Sequence, residues 1–180
     1  MKYIYLLFAI AIISLNSCKS DLTTASDEDL SIEALEDSIF TKEGGIKPAQ
    51  DTNGKKLIAA YEALAASDVP DSVAVEMLFK AAAIAKNVNK DFTKSVEVLN
   101  KLYTDFPKSL RAGDAQFMEA YTYANDMQDY DKAKKLYDTF LAQYPDHAMF
   151  KTGVLEVRNL GKTPEMMIEE FKKKNAELKD

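Results

Sequence analysis

The chain has 180 residues, with 29 acidic against 23 basic side chains, a formal net charge of −6, one cysteine and one histidine. An acidic balance of this kind disfavours nucleic acid and anionic headgroups as partners. A single cysteine excludes an internal disulfide, so the fold must rest on core burial, for which this length suffices.

Lys2 precedes an apolar run, 3-YIYLLFAIAIISL-15. The run is shorter than the roughly 20 residues a spanning helix needs and has the length of a signal-peptide core. It leads into 15-LNSC-18, which carries the only cysteine. This segment resembles a bacterial lipoprotein signal, with Leu15 three residues before Cys18 and the small Ser17 just before it; Asn16 stands where alanine or serine is usual. The resemblance implies removal of residues 1–17, a diacylglycerol on the Cys18 sulfur and an acyl group on its new amine. The mature chain would then lose the charge of Lys2 and carry −7. The competing reading is an ordinary secretory signal with an incidental cysteine. An unpaired thiol in an oxidising compartment is a liability, which favours lipidation. Several acyl chains anchor stably without a transmembrane helix. Lys19 and Ser20 follow, not the aspartate that signals inner-membrane retention in enterobacteria. An outer-membrane lipoprotein on the periplasmic side is the expectation.

Residues 19–30, KSDLTTASDEDL, are small, polar and acidic and read as a tether. Next, 31-SIEALEDSIF-40 places Ile32, Leu35, Ile39 and Phe40 at helical spacing behind a Ser31 cap. The segment 41–54 holds three of the six glycines and a proline and should break that helix. Helices are predicted near 55–67, 72–88, 91–105, 109–127, 130–143, 147–159 and 164–178, and no segment shows the alternation of a strand. The expected partition is a signal peptide over 1–17, a lipid-anchored tether with a short helix over 18–54, and a helical domain over 55–180.

A repeat organises that domain. The stretch 103-YTDFPKSLRAGDAQF-117 returns as 141-LAQYPDHAMFKTGVL-155, offset by 38 residues, with Pro107 on Pro145, Phe106 on Tyr144 and Ser109 on His147. The same offset pairs Ala74 with Ala112, Phe79 with Phe117, Ala82 with Ala120, Asp91 with Asp129 and Lys94 with Lys132. An earlier half-copy, Val69-Pro70-Asp71-Ser72, matches with a one-residue slip. Proline cannot continue a helix, and Ser72 and Ser109 are placed to cap the helix that follows. Ala112, Ala115 and Ala120 keep one helix thin beside Phe117, and Ala133, Tyr137 and Phe140 form the stripe that packs back. A fixed period in this range marks stacked helical hairpins.

On these residues, 106-FPKSLRAGDAQF-117 and 129-DYDKAKKLYDTFLAQYP-145, the chain resembles tetratricopeptide repeats (TPR). It is closest to the longer variety with an F/Y-P-x-S-x-x-A-x-x-A-x-F pattern in bacterial envelope proteins. Ser95 and Leu99 depart from that pattern, and Phe140 stands where a second alanine is usual. The resemblance implies an all-α fold of antiparallel helical hairpins stacked as a short TPR-like solenoid, about three hairpins. The final segment, 159-NLGKTPEMMIEEFKKKNAEL-178, has Met167, Ile168 and Phe171 on one face and reads as a terminal capping helix. The whole plan is similar to small repeat lipoproteins of Bacteroidetes.

Chemistry is sparse. His147 is the only histidine, occupies the Ser109 place in the repeat and has no evident catalytic partner. Asp126, Asp129 and Asp131 fall in a hairpin turn without the spacing of a calcium loop, and Lys172, Lys173 and Lys174 read as the wet face of the last helix. No phosphate loop or paired-histidine spacing is present, so neither enzyme activity, a cofactor nor a metal is expected. Among the nine tyrosines, core packing is the commoner fate, yet aromatic residues dominate binding hot spots. Phe117 and Tyr121 are therefore the partner-binding candidates, on the groove that the first helices of such hairpins line. The function expected is a lipid-anchored envelope scaffold that binds another envelope protein or a peptide segment, as an accessory of outer-membrane assembly. The alternative is a structural lipoprotein that self-associates end to end through its helices.

Overall fold

The computed structural model describes residues 31–47 and 51–177; the signal segment, Cys18 and the tether lie outside them. Eight helices follow one another: α1 (Ile32–Ile39), α2 (Asp51–Ala65), α3 (Asp71–Asn87), α4 (Phe92–Asp105), α5 (Ala112–Asn125), α6 (Tyr130–Gln143), α7 (Phe150–Asn159) and α8 (Pro164–Glu177). The only β pairing among the described residues is an isolated bridge between Phe40 and Ile46. Helices α1 to α7 pack each on the next, in the serial order of a TPR-like helical solenoid.

The two complete repeats are built from matching interactions. Asp91 and Asp129 accept from the backbone N–H of Lys94 and Lys132, at 2.9 and 3.0 Å, and cap α4 and α6. The α3–α4 and α5–α6 links are four residues long, and each puts its third residue, Lys90 or Gln128, in the left-handed region at φ 54° and 55°. Helix ends agree as well, since Phe106 and Tyr144 each donate to the fourth residue back at 2.9 Å. The stripe Ala133, Tyr137 and Phe140 is fully buried, as are its counterparts Ser95, Leu99 and Leu102. Ser95 stands in for alanine without loss because its hydroxyl donates to the Ala82 carbonyl at 3.0 Å.

The structure departs from the sequence reading at five places. α1 does not belong to a tether: Leu35 and Ile39 are buried in the same core cluster as Leu57, Tyr61 and Leu78, so the folded body reaches back to residue 32. α2 starts at Asp51, four residues early, and takes Gly54 into the helix. A side chain there would meet Asn89, which reaches across to donate to the Asp51 carbonyl at 2.7 Å. Ser72 caps nothing, because α3 starts directly after Pro70. Ser109 accepts from the N–H of Arg111 in a turn ahead of α5, which starts three residues late.

The fifth departure is α8. It does not cap the array: Met166, Met167, Ile168 and Phe171 are all exposed, Phe171 by 66 %, and α8 packs on no other helix as the earlier ones do. The link Leu160–Thr163 also differs from those of the closed hairpins, since its left-handed residue is the second, Gly161 at φ 72°, and not the third.

The Tyr137 hydroxyl is buried without a hydrogen-bond partner. Leaving such a group unsatisfied costs stability, so Tyr137→Phe is expected to stabilise the chain by about 1 kcal/mol, read as a higher midpoint in urea unfolding at unchanged slope.

Candidate partner-binding surface

Phe117 and Tyr121 both lie on α5, one turn apart, with ring centroids 6.5 Å from each other. Their surroundings differ. Phe117 is 3 % exposed and meets Tyr137 and Phe140 edge-on at 5.5 and 5.4 Å. It presents no surface to a partner and acts as the wedge between α5 and α6. Tyr121 is half-buried, with the Lys86 ammonium 5.2 Å from its ring centre. That ammonium also pairs with Asp126 and donates to Thr122 at 3.3 Å, tying α3 to α5. Of the two candidates, only Tyr121 can touch a ligand directly.

A second element of the surface was not singled out in the sequence. A cleft of about 870 Å³ opens between α1 and α3, with Tyr61 of α2 in its wall. Phe40, Ala83 and Ile84 give it an apolar lining, and Lys42, Lys47 and Lys80 stand around it. Lys80 lies 5.5 Å from the Tyr61 ring centre and pairs with Glu36 at 3.1 Å, while the Tyr61 hydroxyl donates to the same carboxylate. Burial pushes the Glu36 carboxyl up, but the hydrogen bonds from Tyr61 and Lys80 outweigh it and hold the group below its ordinary value. The Tyr61 phenol is pushed well above its usual range by burial and by that carboxylate. The one available signal was the apolar face of residues 32–40, which had to be covered by something. Assigning that helix to a tether hid the cleft that it walls.

His147 is a structural residue here. Its Nδ1 accepts from the N–H of Met149 at 3.1 Å, in the place where the Ser109 hydroxyl accepts from Arg111. With that lone pair engaged, the neutral ring carries its proton on Nε2, which faces Asp114 at 3.3 Å. The ring also stands edge-on to Phe140 at 5.2 Å and close over Gly113. Two of the three turn aspartates are likewise occupied, Asp126 by Lys86 and Asp129 by its cap. Among the described residues, no three His, Cys, Asp or Glu side chains are grouped to hold a metal.

One buried acid lies behind the surface. Glu119 of α5 is 3 % exposed and accepts from the Tyr103 hydroxyl at 2.6 Å. Burial raises its pKa above the ordinary 4.5, against the lowering effects of Tyr103, Asn100 and Lys132. A raised carboxyl binds its proton more tightly in the folded state, so stability falls as pH rises from 4.5 through the folded value and levels off above it. Thermal melts over a pH series should show the wild type losing stability relative to Glu119→Gln across that window.

Neither the curated proteins nor the solved structures contain a significant match to the chain. Residues 72–155 match the model of the family YfiO, described as outer membrane lipoprotein. The match runs from the first turn of α3 to the middle of α7, so the two complete repeats that carry Tyr121 are similar to an outer-membrane lipoprotein family.

Proposed function

We propose that the chain is a lipid-anchored scaffold of the cell envelope that binds a segment of another envelope protein along its first helices. The observation that carries this reading is the cleft between α1 and α3, apolar within and edged by Lys42, Lys47 and Lys80 together with Glu36 and Asp37, with Tyr121 presented from the next first helix. Such a surface suits a segment that inserts an apolar side chain and keeps polar and charged groups at the rim, in the helix-in-groove or extended-peptide mode. Similarity to a family described as outer membrane lipoprotein supports the outer membrane as the setting; within it, a periplasm-facing accessory role in outer-membrane assembly is part of the proposal. The chemistry of the described residues supports binding over catalysis, because His147 is engaged in a turn on one nitrogen and by Asp114 on the other.

Affinity capture of the natively lipidated protein from gently solubilised envelopes should recover a stoichiometric envelope protein. Ala83→Arg, which fills the cleft from an exposed position, and Tyr121→Ala should each lower its recovery by about tenfold or more. Recovery unchanged by both variants would remove the surface from consideration. Lipidation is tested apart from binding. Cys18→Ser should release the protein from the membrane fraction while its helical circular dichroism persists, and retention in membranes would overturn the anchor.

A further inference from the structure

The last two described helices carry an apolar surface that the other described residues leave open. In α7, Val154 and Leu155 are 44 % and 49 % exposed. In α8, Met166, Met167, Ile168 and Phe171 are 37–66 % exposed. Exposed apolar side chains grouped in this way on neighbouring helices are a mark of interaction sites.

The repeat says what kind of object covers each part. Offset by 38 residues, Leu155 takes the place of Phe117, which α6 covers with Tyr137 and Phe140. Aligned from the helix start, α8 puts Met167 and Phe171 where α6 has Ala133 and Tyr137, and Lys174 where it has Phe140. So α7 has the bare face that an α6-like helix covers, and α8 carries the first two positions of such a stripe, both exposed. The flanks agree in charge: Lys151 and Arg158 lie one turn either side of Leu155, and Glu165 and Glu169 edge the first turns of α8. The two do not pack on each other within one chain, and the link between them is unlike those of the closed hairpins, its left-handed Gly161 coming one position earlier than Lys90 and Gln128 do.

We propose that a second copy of this chain covers the surface by reciprocal exchange, the α8 of each copy lying on the α7 of the other. Both halves of the missing contact are present in every copy, and a two-fold axis satisfies both at once without leaving an open end. A short link that holds a complementary helix away from its own neighbour is the geometry from which such exchange arises. The paired helices run antiparallel, as in the closed hairpins. Leu155, four residues before the end of α7, then stands level with Met167, three residues into α8. The exchange is independent of the cleft and of its ligand, since it uses the opposite end of the array.

The test uses the full chain in its own membranes, as two differently tagged versions, one Leu155→Cys and the other Met167→Cys. The parent chain, with Cys18 alone, sets the background. Mild oxidation should give a disulfide-linked pair carrying both tags. Replacing Met167→Cys by Ala142→Cys, on an exposed position of α6, should abolish it. Adding Phe171→Glu to both versions should weaken pairing by about thirtyfold, the loss expected of a hot-spot side chain. A chain bearing Leu155→Cys and Met167→Cys together should link between chains. If that double variant links only within itself, α8 folds back on its own α7 and the exchange is wrong. Free thiols in every combination would likewise overturn it, leaving the face to a different protein.

Discussion

A helical hairpin covers one face of each of its helices and leaves the other bare, so every hairpin in this chain depends on its neighbour. The dependence is visible in the core. Val96 of α4 is buried in the same cluster as Phe117, Tyr137 and Phe140 of the following hairpin, and Ala115 of α5 is buried with Leu78 and Leu102 of the preceding one. Alanine at positions 74, 82, 112 and 120 lets the backbones come close enough for those aromatic and aliphatic wedges to fill the space between. The stack therefore has ends, and the treatment of each end decides what surface is left for partners. At the beginning, α1 lies over α2 and creates a cleft against α3. At the other end, the last helix is turned away.

The links between helices determine which of these outcomes occurs. A four-residue connection with a left-handed third residue and an aspartate cap returns the chain antiparallel, twice, with nearly identical hydrogen bonds. Lys and Gln bear the left-handed conformation at some cost, which the surrounding turn compensates by satisfying the carbonyls of Ala85 and Tyr123. The last link uses glycine for its left-handed residue, one position earlier. The closed and open hairpins thus differ in where the link places its left-handed residue.

The repeat was legible in the sequence because its punctuation is chemical: proline ends a helix, aspartate begins one, and small residues recur where backbones touch. All seven helices predicted beyond residue 55 are present, and the stripe of Ala133, Tyr137 and Phe140 is buried as expected. Helix starts after proline were less legible, because Ser109 and His147 use their polar atoms in a preceding turn that looks like a cap in one dimension. Whether an amphipathic helix finds its partner cannot be read from its own pattern. The apolar faces of α1 and α8 are equally clear in sequence, yet Ile39 is fully buried while Phe171 is among the most exposed apolar residues. The candidate surface was half legible for the same reason. Tyr121 could be placed by period, whereas the cleft needed three helices brought together by contacts remote in sequence.

The core is two clusters and not one, and Met118 is the partly buried side chain that packs against both. A thioether chain with three rotatable bonds and no branch tolerates sliding better than the rings on either side of it. The seam it occupies is thus the natural place for the array to bend, with the Lys86 ammonium reaching from α3 to Asp126 and Thr122 as the restraint across it. Flexing there would displace Val96 of α4 and Ala115 of α5, each buried in the cluster of the other hairpin, so the span between the cleft at α1–α3 and Tyr121 on α5 is held by packing from both sides of the seam.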